Sequence, residues 1–390
     1  MPNYLSPGVY VEEVSGGVKP ISGVGTSTGA FVGIAEKGVI GEAVLITSWS
    51  QFVREFGGFI PNGYLAYSVY GFFAEGGASC YVVRTCHYSD YLKPQTKTAK
   101  TAAVTLLDDT QAESLRVTAV SEGAWGNKLV IKAEKAGVGD GFKLSVVNQA
   151  PGTQEEIVLE TFDELTMAGV EAAINSQSAL IRVEKDSWSD NGHDITGSGK
   201  VPQLTTETEA EFGALKYRLS PLTGGNDGVE ALRYSDFIGD SNARNGLHAF
   251  DIVDDINIVA IPDLPGDQDL ITAALNYCKN RKDCFYIVDP PAGLGVTDVK
   301  TFKTFNSSYG ALYYPWVEIS DPLTGNRKKV PPSGVVAGTY ANTDMVRGVH
   351  KAPAGVEDGY LDSVVGLETI VTKGEHDLLN PAGINVIRSL

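Results

Sequence analysis

Short apolar runs alternate with helix-period segments through the second half of this chain, and no other feature restricts its fold as much. Ile256-Asn257-Ile258-Val259-Ala260-Ile261 reads as a buried strand. Leu270, Ile271, Ala274, Leu275 and Cys278 then fall on one helical face, and Cys284-Phe285-Tyr286-Ile287-Val288 is the next strand. A helical stretch around Val296 to Phe305 leads to a further apolar run, Ala311 to Val317. Parallel neighbours need long crossovers, and the crossover helices cover the sheet, so this pattern predicts an α/β fold with a mostly parallel sheet and flanking helices. The front of the chain agrees. Gly29-Ala30-Phe31-Val32-Gly33-Ile34 is core-like, and Ser48 or Ser50 can cap a short helix that stops at Gly57-Gly58. Leu65, Val69, Phe72 and Phe73 mark a second helix ended by Gly76-Gly77, before a buried strand from Cys80 to Arg84.

Between these halves the character changes. Residues 96–221 carry six aromatic residues (Trp125, Phe142, Phe162, Trp188, Phe212 and Tyr217), about half the density of the remainder. Runs such as Ser114 to Val120, Leu129 to Ala133 and Phe142 to Val147 are separated by Gly/Asn/Asp clusters. That spacing predicts an inserted antiparallel β-sandwich-like domain, with one helix near Phe162 to Ile174. The α/β body is then discontinuous, 29–95 and 222–390.

Residues 1–28 read as an extended N-terminal arm and linker. A Pro7-Gly8 turn introduces Val9-Tyr10-Val11-Glu12-Glu13-Val14, a short alternating strand, and a glycine-rich stretch follows it. A lone strand of this length has no stability in water, so Val9, Tyr10, Val11 and Val14 must pair with the chain's own body or with another subunit.

The chemistry-bearing residues do not assemble into a familiar motif. Gly23-Val24-Gly25-Thr26-Ser27-Thr28-Gly29 has the wrong spacing for a dinucleotide loop and precedes a strand, where the fingerprint needs a helix to meet the phosphates. There is no GxxxxGK[ST] P-loop. His87, His193, His248, His350 and His376 form no HExxH or HxH pattern. Cys80/Cys86 and Cys278/Cys284 are too widely spaced for zinc knuckles and read as buried thiols, so neither a metal nor a cofactor is expected. Asp251, Asp254, Asp255 and Asp263 are the notable carboxylates. Asp263 follows a strand whose carboxyl end is where α/β enzymes place ligands, which makes it the best catalytic candidate. Helix capping in the segment around Asp267 and Asp269 explains it as well.

Net charge is −17, and the one basic cluster, Arg327-Lys328-Lys329, follows a turn and reads as a solvated hairpin tip. Nucleic acid is therefore not an expected partner. No apolar run approaches the ~18 residues needed to span a bilayer. The opening Met1 to Pro7 lacks the pattern of a secretory signal, so the expected compartment of synthesis is the cytoplasm.

Several of these stretches, in order, resemble the phage tail sheath family, which includes the sheaths of contractile injection systems. They are Ser6 to Glu13, Phe31-Val32-Gly33, Phe72 to Gly77, Cys80 to Arg84, Ala124-Trp125-Gly126-Asn127, Leu222 to Gly228, Ile258 to Asp263, Pro331 to Gly338 and Lys351 to Gly355. The resemblance implies a structural subunit, not an enzyme. Such a subunit polymerises helically around an inner tube by strand exchange through its arm, and contracts to drive the tube through a target envelope. It also implies partners: the sheath homopolymer itself, the inner tail tube protein, and baseplate and tail terminator proteins, with no direct membrane insertion. Virion tails or injection particles are the implied destination. The resemblance also implies a further domain past a segment like Gly383 to Arg388, beyond the sequence through Leu390. A Rossmann-like enzyme and another phage structural protein, of baseplate or capsid, stay open as alternatives. Limited proteolysis near Lys93–Thr101 or Leu219–Asp227 is expected to release 96–221 as a compact fragment; digestion of that segment to small peptides would contradict an inserted domain.

Overall fold

The computed structural model describes residues 27–149, 156–190, 193–204 and 220–389. The arm residues Val9, Tyr10, Val11 and Val14 lie outside them. The described chain opens with strands β1 (Thr28–Gly33) and β2 (Ala43–Ile46), helices α1 (Trp49–Phe56) and α2 (Leu65–Ala74), and β3 (Cys80–Arg84). A β-rich segment follows: β4 (Ala103–Leu107), β5 (Glu113–Ala119), β6 (Leu129–Lys135), β7 (Phe142–Gln149), β8 (Glu156–Leu165), α3 (Val170–Gln177), β9 (Ile181–Glu184), β10 (Ser187–Asp190), β11 (His193–Thr196) and β12 (Ser220–Pro221). Then come α4 (Tyr234–Ile238), β13 (Ile256–Ala260), α5 (Gln268–Arg281), β14 (Phe285–Val288), α6 (Val296–Phe302), β15 (Gly310–Tyr314), β16 (Val317–Ser320), β17 (Arg327–Val330), α7 (Ser333–Arg347), α8 (Gly355–Asp358), β18 (Gly366–Leu367), α9 (Lys373–Leu379) and β19 (Ile384–Val386).

Among the described residues the largest sheet has seven strands in the order β19-β15-β14-β13-β1-β3-β2. Only β2 runs antiparallel to its neighbour. Every residue of the interior strand β1 is buried, as a strand covered on both faces must be. Its side chains alternate between two cores. Ala30 and Val32, with Val259, Tyr286, Val288 and Leu312, face α5, where Leu270, Ile271, Ala274 and Cys278 are buried. Phe31, with Val82, Ile258, Ala260 and Ile287, faces α2 and α7.

The helix caps follow local chemistry. Ser48 caps α1 by accepting Gln51 N–H, and Asp267 caps α5 by accepting Leu270 N–H. Helices α2 and α7 lie unusually close, because α7 turns Gly334 and Gly338 toward its neighbour. A Cβ at Gly334 would stand 2.3 Å from Ser68 Cα, and one at Gly338 would stand 2.4 Å from the Phe72 carbonyl oxygen.

The β-rich segment builds three further sheets, β4-β5-β9, β12-β6-β7-β8 and the two-stranded β10-β11, with antiparallel pairing throughout. Leu115, Val117, Ile181 and Val183 from the first sheet meet Ile131, Leu144 and Val146 from the second, joined by Val170 and Ile174 of α3. The chain's two crossings into this segment run side by side, with Ala103 bridged to Thr223 and Lys100 to Asn226.

Two local expectations need correction. The helix expected near Phe162 begins at Val170, and Phe162 itself lies in β8, paired with Leu144 of β7. Arg327, Lys328 and Lys329 form strand β17 instead of a free tip, paired to β16. Lys328 Nζ sits 4.1 Å from the centre of the Tyr67 ring and 3.3 Å from the Pro61 carbonyl oxygen, and Lys329 pairs with Glu368 at 3.4 Å.

The close α2–α7 crossing yields a direct expectation. Gly334→Ala should lower stability by about 1–3 kcal/mol, the range for overpacking a well-filled site. An unchanged melting transition would show that the helices are free to separate.

Candidate functional site

The strand order places the topological switch point between β1 and β13, since the chain moves from β1 toward β3 and later returns on the other side with β13. In open α/β sheets ligands enter the crevice outside the carboxyl ends of such strands. Asp263 lies there, three residues past β13. Its Oδ2 accepts the Ile34 N–H at 2.7 Å, and its Oδ1 accepts the Tyr64 N–H at the start of α2. The carboxylate thus fills the crevice and bonds the chain leaving β1 to the next helix. Gly33 makes room for it: a Cβ there would stand 2.3 Å from Asp263 Oδ2. Burial pushes this carboxyl up to about 6, against the pull of the N–H groups that bond it.

Asp289 repeats the device one strand further on. It follows β14, is buried, and its Oδ1 accepts the Ser333 N–H at 2.9 Å at the start of α7. Burial pushes its carboxyl up to about 7. The two carboxylates therefore anchor the N-termini of α2 and α7, the pair that packs together on one face.

The other residues singled out from the sequence do not join this crevice into one site. His87 Nδ1 lies 3.0 Å from Asp236 Oδ2, and His248 Nδ1 lies 2.8 Å from Asp251 Oδ2. His193 lies in β11, His376 lies in α9, and His350 is exposed beyond α7. All four cysteines are buried free thiols. The Cys278 thiol donates to Cys284, and that bond together with burial pushes it far up. Among the described residues no three His, Cys, Asp or Glu side chains are grouped to hold a metal ion.

A groove of about 610 Å³ runs beside β19, the outermost strand of the main sheet. Tyr313, Val336, Leu361, Leu367 and Val386 supply its apolar wall, and Thr339, His376, Asn380, Asn385 and Arg388 its polar one. Next to it the surface exposes Val356, Tyr360 and Val365, and further exposed apolar side chains follow at Met345, Val346, Val349 and Ile370. Sequence patterning did not mark this region, because exposure of an apolar side chain depends on which tertiary neighbours reach it. Chemically the groove offers apolar contact and strand-edge hydrogen bonding, which suits a polypeptide better than a small polar substrate.

The paired carboxylates set a pH dependence. Both hold protons more tightly in the folded chain than in the unfolded one, so the stability they contribute is present below about pH 4. It is lost as pH rises through their folded values near 6 and 7. Asp289→Asn should gain on the natural protein across this window, by up to about 4 kcal/mol by pH 8. A stability difference independent of pH, measured by denaturant titration from pH 4 to 8, would contradict this account.

Residues 238–389 match the model of the phage tail sheath protein central domain. No curated protein matches the chain. Among solved structures, the sheath tail protein of Desulfitobacterium hafniense is similar at 16% identity and a TM-score of 0.56, covering 98% of this chain and 72% of that one. The sheath tail protein of Listeria innocua is similar at 16% identity and a TM-score of 0.57, covering 93% of this chain and 65% of that one. At this identity what is shared is the fold. The matched segment holds β13 to β19, most of the main sheet and both anchoring carboxylates. Residues 238–389 are thus similar to the central domain of phage tail sheath proteins, and the fold of the chain is one shared with sheath tail proteins.

Proposed function

We propose that this chain is a structural subunit of a contractile tail sheath, one that polymerises helically around an inner tube and contracts to drive it through a target envelope. The observation that carries the reading is the sheath central-domain match over residues 238–389, set within a sheath-like fold that spans 98% of the chain. The filled crevice supports it. An enzyme of this architecture keeps the switch point open for its ligand, whereas here Asp263 occupies it and holds backbone. Exposed apolar side chains at Met345, Val346, Val349, Tyr360 and Ile370 supply surface for packing against other chains.

Within this reading, residues 96–221 are an inserted domain carried on the body. Val9, Tyr10, Val11 and Val14 form the arm strand that pairs with a neighbouring subunit. Contraction is a rigid-body rearrangement of subunits that stay linked by such arms. The further partners are the inner tube protein, the baseplate and the tail terminator. Synthesis takes place in the cytoplasm, and the assembled destination is a virion tail or an injection particle.

Deleting residues 1–14 at the gene's own locus should abolish sheath sleeves in electron micrographs. The melting transition of the purified subunit should move by less than about 2 °C, because a lone strand adds little to a folded body. Unfolding of the subunit would assign the strand to its own core instead, and unaltered sleeves would remove the arm from assembly.

A further inference from the structure

Arg84 closes β3, and its side chain is only 1% exposed. A buried guanidinium needs acceptors for its fixed fork of donors, and an unpaired one is costly. Arg84 finds them on both sides of the boundary between the main sheet and the β-rich segment. Its Nη1 donates to the Gly38 carbonyl at 2.9 Å, in the loop that leaves β1, and to the Glu122 carbonyl at 2.8 Å, in the β-rich segment just past β5. Its Nη2 forms an ion pair without a hydrogen bond, 3.6 Å from Asp227 Oδ1 on the chain that returns from that segment. The same Asp227 oxygen accepts the Ala124 N–H at 2.9 Å. One cation therefore reaches the body, the chain past β5 and the return crossing at once.

Further links surround it. Gly38 N–H donates to Ser121 Oγ at 3.0 Å. Lys128 pairs with Glu36 at 3.3 Å, and Lys97 pairs with Glu122. Glu36 in turn accepts the Gly58 N–H at 3.0 Å, which ties this corner to the end of α1. These links are polar and short, and they sit where two chain crossings alone would make a hinge. Interfaces between units of one chain ordinarily permit relative motion unless they are large and apolar; this one is held instead by a buried charge.

We propose that Arg84 is the joint that locks the β-rich segment to the seven-stranded sheet, so that the two turn as one body. The cation cannot leave its site without giving up acceptors on both sides together. A force on the sandwich is therefore delivered to the end of β3, which pairs with β1 in the main sheet. The inference concerns the single chain and holds whatever the chain assembles into.

The test is the distance between the two parts in solution. Spin labels at Val138→Cys, in the exposed β6–β7 turn, and at Lys300→Cys, on α6, report it by pulsed dipolar spectroscopy. The four native thiols are buried and do not compete for label. The natural protein should give one narrow distribution. Arg84→Met, which keeps much of the side-chain volume and removes every donor, should at least double its width while circular dichroism remains that of the folded chain. Asp227→Ala removes one acceptor from the return crossing and should broaden the distribution to a smaller degree. It also decides the matter should Arg84→Met fail to fold. Distributions as narrow in the folded variants as in the natural protein would overturn the proposal.

Discussion

The structure depends on the seam between β1 and β13, where two parallel strands far apart in sequence pair and are then sealed at their carboxyl ends. Thr28 to Phe31 pair with Ile256 to Ala260, so one half of the sheet is joined to the other along a single line. Backbone bonds alone hold such a seam loosely. Both strands are buried on both faces, and their apolar side chains serve two cores at once. Asp263 adds a directed tie across the seam and onto α2, and Asp289 makes the matching tie from β14 to α7. Burying two carboxylates is costly, and it is offset only where each meets N–H groups that would otherwise be orphaned at a helix start.

That arrangement has consequences for function. In a chemical α/β protein the switch point is a cavity, because substrate must enter and leave it. Here Asp263 occupies it and bonds the backbone of Ile34 and Tyr64. The apolar side chains gather elsewhere, near the edge strand β19 and past the end of α7, where other chains can reach them. A charge of −17 makes non-specific association unfavourable.

Much of this was legible from residue pattern alone. The 2-residue and 3.6-residue periods separated strands from helices from Ile256 onward, because buried parallel strands leave unbroken apolar runs. Asp263 could be placed at a strand end but not assigned a role, since its partners at Ile34 and Tyr64 are over 190 residues away in sequence. The strand through Phe162 was missed because Glu160, Asp163, Glu164 and Leu165 carry no clear alternation, and it is pairing with β7 that makes the segment extended. Arg327 to Lys329 looked like a solvated turn because nothing local reveals the Tyr67 ring beneath Lys328. Arg84 could be read as the end of a buried strand but not as a joint, because its acceptors at Gly38 and Glu122 meet it only once the β-rich segment is folded over it.

The central claim is that this chain builds a sleeve, and labelling it within intact particles tests that most directly. Gold-conjugated antibody against the chain, viewed by electron microscopy on particles from the producing cells, should decorate the tail along its whole length. In contracted particles the label should gather on a shorter, wider sleeve with bare tube protruding. Label confined to a baseplate, or lying on a closed shell, would contradict the account and return the chain to another part of the particle.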